Sequence, residues 1–289
     1  MKALDWLAHP DGLAFAPQDL APRQSRARQL RAEQDAGYTL GFAAGAAEME
    51  EAQRLRFKVF AEEMGARLPN RASGLDCDDF DAICEHLIVR HSATGRVVGT
   101  YRLLPPEAAR RIGRMYSESE FDLARLAHLR GGMVEAGRSC VHWEHRNGAV
   151  IMLLWSGIAR YMKRYGYEYL AGCASISLRD GGHAAANIFK GLTTSQLSDA
   201  EYRVFPRLPL PVDKLANQDL PEMPPLVRGY LRAGGKVCGA PAWDPDFNTA
   251  DLFMFLPMGA LNPRFSRHFS TSQAGRFGPA ALGDHRDHR

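Results

Sequence analysis

The pattern of apolar and polar positions changes character near Tyr38. Upstream, Pro10, Pro17 and Pro22 punctuate a polar lead-in, and Ser25 to Ala36 predicts a short, very polar helix. From Tyr38 the pattern is that of a folded domain. Tyr38 to Phe42 predicts a short strand, and Ala46 to Met64 a helix on which Ala52, Leu55, Val59 and Phe60 share one face. His86 to Arg90 and Arg96 to Leu104 predict paired strands with a hairpin signal at Gly95, the second strand ended by Pro105-Pro106. Ser117 to Leu126 has helical tendency, and Gly132 to Val141 reads as a central strand. Asn147-Gly148 opens the most regular helix, Ala149 to Tyr165, stopped by Gly166. Tyr167 to Cys173 predicts a further strand and His183 to Leu192 a further helix. Strands bracketing a long helix make a mixed α/β domain. After Tyr202 to Pro209 a proline-rich passage leads into Gly229 to Leu256, rich in Gly, Pro, Asp and aromatics. The expected division is an arm over 1–37, a core over 38–210, a C-terminal extension over 211–269 and a tail over 270–289.

Composition acts mainly by exclusion. The chain of 289 residues carries 36 Lys and Arg against 33 Asp and Glu, and a net charge of +3 does not describe a dedicated nucleic-acid binder. Arg23, Arg26, Arg28 and Arg31, and again Arg264, Arg267 and His268, are local clusters that suit an acidic protein or anionic lipid, or are simply solvated surface. The apolar run Val150 to Trp155 is far short of the ~18 residues that span a bilayer. Met1 to Pro10 lacks the basic and apolar regions of a secretory leader, so a cytoplasmic protein is expected. The five cysteines contain no C-x-x-C, which predicts reduced thiols and no zinc knuckle. No nucleophile elbow, P-loop or dinucleotide fingerprint is present. His142 and His145 lack a second cluster to complete a metal site. Cys140 and His142, two apart on a strand, are a candidate nucleophile and base, although a buried packing cysteine is the plainer alternative.

The distinctive chemistry lies in Val134 to Val141 and the following Glu144 to Val150. A regular strand puts Glu135 and Arg138 on opposite faces, and Gly137 between them is where a bulge is expected. A bulge frees backbone N–H groups, and the loop Arg146-Asn147-Gly148 runs into a helix N-terminus that presents more. Such donors beside an ionisable carboxylate suit acyl transfer to an amine: donors hold the thioester oxygen, and the carboxylate takes the amine proton. An interior Glu135–Arg138 salt bridge is the alternative.

A series of motifs falls in one order: Leu55-Arg56-Phe57-Lys58-Val59-Phe60-Ala61-Glu62-Glu63; Asp76-Cys77-Asp78-Asp79-Phe80-Asp81 with His86-Leu87; Val98 to Leu104; Tyr116-Ser117 with Glu120 to Leu123; Glu135 to Val141; Leu153 to Ile158; and Gly172 to Ser175. Gly229 to Arg232 and Gly239 to Ala242 follow. In these the chain resembles the ornithine N-acyltransferases of bacterial ornithine-lipid synthesis, a GNAT-like group related to acyl-homoserine-lactone synthases, over roughly Tyr38 to Leu256. The resemblance implies a GNAT-like α/β fold with a mostly antiparallel central sheet flanked by helices, and an extension packed on the acceptor side. It implies transfer of a 3-hydroxyacyl chain from acyl carrier protein to the α-amine of L-ornithine, giving lyso-ornithine lipid. The phosphopantetheine arm of the carrier protein is the donor, and no metal or resident cofactor is implied. The related lactone synthases share an Arg-x-x-x-Phe, an Asp-x-x-Asp, a later Arg and a Glu-x-x-Arg, which fall here on Arg56 and Phe60, Asp78 and Asp81, Arg102, and Glu135 and Arg138. These line the acyl and acceptor site by implication, with Glu135 the general base and Arg138 beside it. Ser139 and Trp155 join the substrate-binding set; Trp155, Met152 and Leu154 are candidates for an acyl tunnel, with core packing the plainer alternative for apolar residues at helical spacing. Arg146, Asn147 and Gly148 are the expected donor-phosphate site. Ala149 and Ile151 stand where acetyl-CoA-dependent relatives carry small residues, and their side chains would crowd a CoA pyrophosphate, which favours a carrier-protein donor. Arg102 or Arg138 suits the acceptor carboxylate, and Asp78, Asp81, Asp244, Asp246 and Asp251 are candidates for the distal ammonium. Another acceptor (glutamine, lysine or a homoserine-lactone precursor), or a non-catalytic protein binding carrier protein or the inner-membrane surface, are the alternatives.

Overall fold

The computed structural model describes residues 33–262 apart from Ala36 and Asn70. In chain order the main elements are β1 (Glu33–Asp35), β2 (Tyr38–Phe42), α1 (Ala46–Phe57), β3 (Glu85–His91), β4 (Val97–Leu104), α2 (Pro106–Ile112), β5 (Phe121–Asp122), β6 (Met133–Val141), α3 (Ala149–Tyr165), β7 (Tyr169–Ser177) and α4 (His183–Lys190). They continue with β8 (Phe205–Pro206), α5 (Val212–Leu215), α6 (Pro225–Ala233), β9 (Lys236–Val237), β10 (Ala242–Asp244) and β11 (Thr249–Pro257). The central sheet runs β1-β2-β3-β4-β6-β7-β11-β10, with β9 also on β11. Every neighbouring pair is antiparallel except β6 and β7, which are parallel. This is the mixed, mostly antiparallel α/β architecture expected.

Period-two alternation sorts the two faces of the sheet. On β3, Leu87 and Val89 join the core that buries Val150, Leu153, Leu154 and Ile158 of α3. Ile88, between them, joins Ala52, Leu55, Val59 and Phe60 of the first helix. That helix departs from the expected single α-helix: after Phe57 it widens into a π-helical stretch, Lys58–Glu63. Helix α3, by contrast, has the bounds expected of it, with Gly166 as its left-handed C-cap.

Two expectations need correction. Glu33–Asp35, inside the predicted polar helix, is a strand, because the chain turns at Gly37 (φ 88°) and pairs Asp35 with Tyr38 in a hairpin. The rest of that predicted helix, both arginine clusters and the 270–289 tail lie outside the described residues. The closing segment contains a long strand that its turn-rich surroundings hid. β11 pairs along its whole length with β7, from Thr249–Ser177 to Pro257–Tyr169, so the stretch set apart as an extension contributes an interior strand of the main sheet. Among the described residues no helix is long and apolar enough to cross a membrane.

Candidate active site

The site begins where two neighbouring strands separate. β6 and β7 pair only over Met133–Glu135 and Tyr169–Ala171. The next residue of β7, Gly172, has no room for a side chain: a Cβ there would meet the Ala136 carbonyl oxygen at 2.1 Å. Beyond this crossing the strands part, and among the described residues β6 from Ala136 onward has no strand partner on its β7 side. The gap is a cavity of about 290 Å³ lined by Ala136 to Val141, by Cys173 and Ser175 of β7, and by Phe60 and Met64.

The bulge expected near Gly137 is present one residue later. Thr100 pairs with Cys140 but Arg102 with Gly137, so Arg138 and Ser139 together oppose Tyr101. Arg138 adopts φ 52°, uncommon for a residue with a side chain. The extra residue brings Arg138 onto the face that carries Glu135, and both line the cavity. They are not an ion pair with each other. The Glu135 carboxylate accepts 2.7 Å hydrogen bonds from the backbone N–H groups of Tyr116 (to Oε2) and Ser117 (to Oε1), and Ser117 Oγ also donates to Oε1. Burial pushes its pKa above the ordinary carboxylate value, against the pull of those donors and of Arg102. Oε2, with a single bound donor, retains a lone pair for a proton.

Arg138 belongs to a lattice of three arginines and three aspartates. Arg56, fully buried, meets Asp81 at 2.7 Å and Asp76 at 2.8 Å. Arg102 contacts Asp78 at 2.6 Å and Asp81 at 2.9 Å. Arg138 donates to Asp76 at 3.1 Å, Asp78 at 3.4 Å and the Tyr116 hydroxyl at 2.9 Å, and its guanidinium lies over the Tyr116 and Phe247 rings. Burial opposes ionisation of Asp81, but the two guanidiniums on it win and hold its carboxyl well below the usual range. The lattice ties the acidic loop to α1, β4 and β6. Of the residues the resemblance implied, Phe60, Arg102, Glu135, Arg138 and Ser139 line the cavity. Asp78 borders an adjoining groove, while Arg56 and Asp81 stand behind as supports. Asp78 and Asp81 are thereby engaged and unavailable to a substrate ammonium.

A second group of acids lines the same cavity without arginine partners of this kind. One carboxylate oxygen each of Glu120, Asp244 and Asp251 lies within 4.8 Å of the others. Burial, with Asp251 and Asp244 alongside, pushes Glu120 up to about 10, and burial raises Asp251 and Asp244 as well. Asp244 and Asp251 were among the sequence candidates. Glu120, Ser117 and Cys173 had no assigned role, although Tyr116-Ser117 and Glu120 belong to one of the ordered motifs.

At the other end, Arg146 reaches the cavity, with Nη2 on Glu63 at 2.5 Å and Nε on the Val141 carbonyl at 3.0 Å. Asn147 Oδ1 accepts from the Ala149 N–H at 3.1 Å, and Gly148 is the left-handed N-cap of α3. Trp155 is not brought to the cavity. It is buried in the main core, edge-on to Tyr230 at 4.8 Å, so apolar helical spacing here marks packing. Met152 and Leu154 likewise lie outside the cavity lining. Cys140 is a buried thiol whose pKa burial raises, and His142 caps the turn at Glu144, so the two do not form a nucleophile and base. All five cysteines are free thiols, as expected.

The acetyltransferase (GNAT) domain family matches residues 55–156, a span that includes the acidic loop, the bulged strand and the first half of α3. The L-ornithine N(alpha)-acyltransferase of Brucella abortus is 34% identical over 247 residues, covering 80% of this chain and 88% of its own. The Rhizobium meliloti protein of the same name is 34% identical over 251 residues, covering 81% and 84%. Among solved structures, TofI in a ternary complex with an inhibitor and MTA aligns with a TM-score of 0.46 at 15% identity, over 80% of this chain and 100% of that one. By its sequence, this chain belongs to the L-ornithine N(alpha)-acyltransferase family.

Proposed function

We propose that the protein transfers a 3-hydroxyacyl chain from the phosphopantetheine arm of acyl carrier protein to the α-amine of L-ornithine, giving lyso-ornithine lipid. The observation that carries this reading is Glu135: a buried carboxylate, fixed by three donors from Tyr116 and Ser117, at the point where β6 and β7 part. The thioester lies along the unpaired edge of β6, with its carbonyl oxygen on backbone N–H groups near the Arg138–Ser139 bulge. Glu135 Oε2, directly or through a water, takes a proton from the α-ammonium. The freed amine attacks the thioester carbon, the C–N bond forms, and the C–S bond breaks. The pantetheine sulfur leaves and takes up a proton, so the balance is thioester plus ammonium giving amide, thiol and one proton. Arg102 and Arg138 keep positive potential at the cavity wall for the acceptor carboxylate while their aspartates hold them in place.

Support for a carrier-protein donor comes from the N-terminus of α3. The Asn147 side chain already occupies one of its N–H groups, and by the register of the resemblance Ala149 and Ile151 stand where CoA-dependent relatives carry small residues. Arg146 and the remaining N–H groups suit the single phosphate of a pantetheine arm. Such a donor places the enzyme in the cytoplasm, handing its lipid product to the inner membrane by peripheral contact. The test is mass spectrometry of reactions containing the purified protein, 3-hydroxyacyl carrier protein or 3-hydroxyacyl-CoA, and an amino-acid mixture. N-acylornithine from the carrier-protein donor is the expected product. A different acylated amino acid would overturn the acceptor, efficient use of acyl-CoA would overturn the donor, and no product with either donor would leave a binding protein.

A further inference from the structure

Three carboxylates from distant parts of the chain meet at one wall of the cavity: Glu120 from the loop before β5, Asp244 at the end of β10 and Asp251 within β11. Gathering like charges in a buried site is unfavourable unless something compensates. The neighbouring arginines do so only in part: Arg138 offsets Asp244, but Arg102 and Arg138 are held in ion pairs by Asp76, Asp78 and Asp81 and neither is paired with any of the three acids. Asp251 is only 4% exposed, yet among the described residues its Oδ1 has no hydrogen-bond partner within 3.5 Å, and neither does Glu120 Oε2 nor Thr249 Oγ1; Glu120, Ser175 and Thr249 approach the Asp251 carboxyl only loosely. Asp244 Oδ1 accepts from the backbone N–H groups of Asp246 and Phe247, which aims the carboxylate without neutralising it. The site therefore gathers several acceptors around one point, and the donors beside Asp251, the Ser175 and Thr249 hydroxyls and the Glu120 carboxyl that burial keeps protonated, are all neutral.

We infer that Glu120, Asp244 and Asp251 form the subsite for the side-chain ammonium of a diamino-acid acceptor, and that this subsite both selects ornithine and directs acylation to the α-nitrogen. An alkylammonium carries three N–H donors and no acceptor, the complement of three converging carboxylates. Charge-assisted hydrogen bonds to carboxylates stabilise the distal nitrogen as an ammonium, which has no lone pair with which to attack the thioester. The α-nitrogen, beside Glu135, is the one that can lose its proton. The inference rests on the acyl-transfer reading for its regiochemistry, but acceptor binding tests it separately. The titratable groups facing the three acids are Glu135, Asp246, Cys173 and Tyr116, with Arg138 as the counter-charge on Asp244 and the neutral hydroxyls of Ser175 and Thr249 beside Asp251. An arriving cation favours ionisation of the cluster, so binding should release protons.

The test is calorimetry of acceptor binding to the full chain without donor, using L-ornithine and L-norvaline, which has the same carbon chain but no δ-amine. Binding to wild type, Asp251→Asn and Glu120→Gln is measured in buffers of different ionisation enthalpy. Ornithine is expected to bind wild type at least ~30-fold more tightly than norvaline, with proton release, because a buried charge left without its partner costs about that much affinity. Each variant should lose most of that preference while its norvaline affinity is unchanged. Both substitutions remove carboxylate repulsion, so the melting temperatures should hold or rise, which separates lost recognition from lost folding. Equal binding of the two ligands, an undiminished preference in the variants, or binding that requires added calcium would overturn the inference. Parallel assays with 3-hydroxyacyl carrier protein separate the two readings. If no acceptor is acylated but ornithine binding still depends on the triad, the transfer reading fails and the subsite stands. If norvaline is acylated as readily as ornithine, transfer stands and the subsite fails.

Discussion

Two charged regions meet at the cavity and differ in how their charges are met. The Arg56–Arg102–Arg138 and Asp76–Asp78–Asp81 lattice is self-contained, three cations against three anions in mutual contact. The acid wall of Glu120, Glu135, Asp244 and Asp251 is not, and burial raises the pKa of all four. Most of the charged residues that are prominent as sequence motifs fall in the first region. A completed ion-pair lattice holds geometry, whereas an uncompensated group in a cleft is poised to exchange a proton or bind a charge. Conspicuous motif residues can thus be supports for the groups that act.

Breaking the lattice should have the largest effect on stability. Arg56→Ala leaves Asp76 and Asp81 short of a buried partner and should cost about 3–5 kcal/mol in denaturant unfolding, since removing one member of a buried pair strands the other. Arg56→Lys should recover only part of this, because a single ammonium does not reproduce the forked contacts.

His86, beside the lattice with Nε2 on the Asp81 carbonyl at 2.9 Å, gives the next effect. Burial lowers its pKa to about 4 from the ordinary 6.5. It is neutral in the fold, so its contribution is fully present above pH 6.5 and is lost as pH falls from 6.5 towards 4. The loss amounts to roughly 3 kcal/mol. Stability measured across that window should fall in wild type and fall less steeply in His86→Gln.

Gly172→Ala tests what shapes the cleft. With a Cβ directed at the Ala136 carbonyl from 2.1 Å, the crossing must shift, at about 1–3 kcal/mol, and activity should drop more than stability implies.

The acid wall should respond with the opposite sign. Glu120 has a folded pKa raised to about 10 from the ordinary 4.5, so its stabilising contribution is present below pH 4.5 and is lost as pH rises. Glu120→Gln removes that penalty, and its melting temperature at pH 8 should exceed that of wild type by a few degrees at the least. A fall instead would mean that the acid wall is compensated after all.

Legibility in the sequence followed the range of the interactions involved. Helix α3 was readable to its end residues because periodicity, an opening Asn147-Gly148 and a closing Gly166 are local signals. The bulge was readable from Glu135, Gly137 and Arg138 because only a break in strand alternation brings the two charged residues together. Strand β11 was not, since its continuous apolar run has no period and sits among turn residues; its identity comes from nine pairings to β7 across the sheet. β1 was misread because its charged residues suit a helix, while pairing with β2 decides. Trp155 is ambiguous in the sequence because a helical apolar stripe does not tell core from tunnel, and packing against Tyr230 decides for the core. Glu120 was invisible as a site residue because the fold alone brings it to Asp244 and Asp251, more than a hundred positions away.

The most direct test of acid-wall chemistry on a lattice scaffold is the rate of N-acylornithine formation as a function of pH for wild type and Glu135→Gln. Burial sets the Glu135 pKa above 4.5, so the wild-type rate should fall on an acid limb above that pH. The variant should fold, with a melting temperature lowered by the one backbone N–H that its amide nitrogen cannot accept, lose that limb, and turn over about 10²–10⁴-fold more slowly, the usual contribution of a general base. A folded Glu135→Gln protein with the wild-type rate and the same acid limb would contradict the assignment of Glu135 as the base.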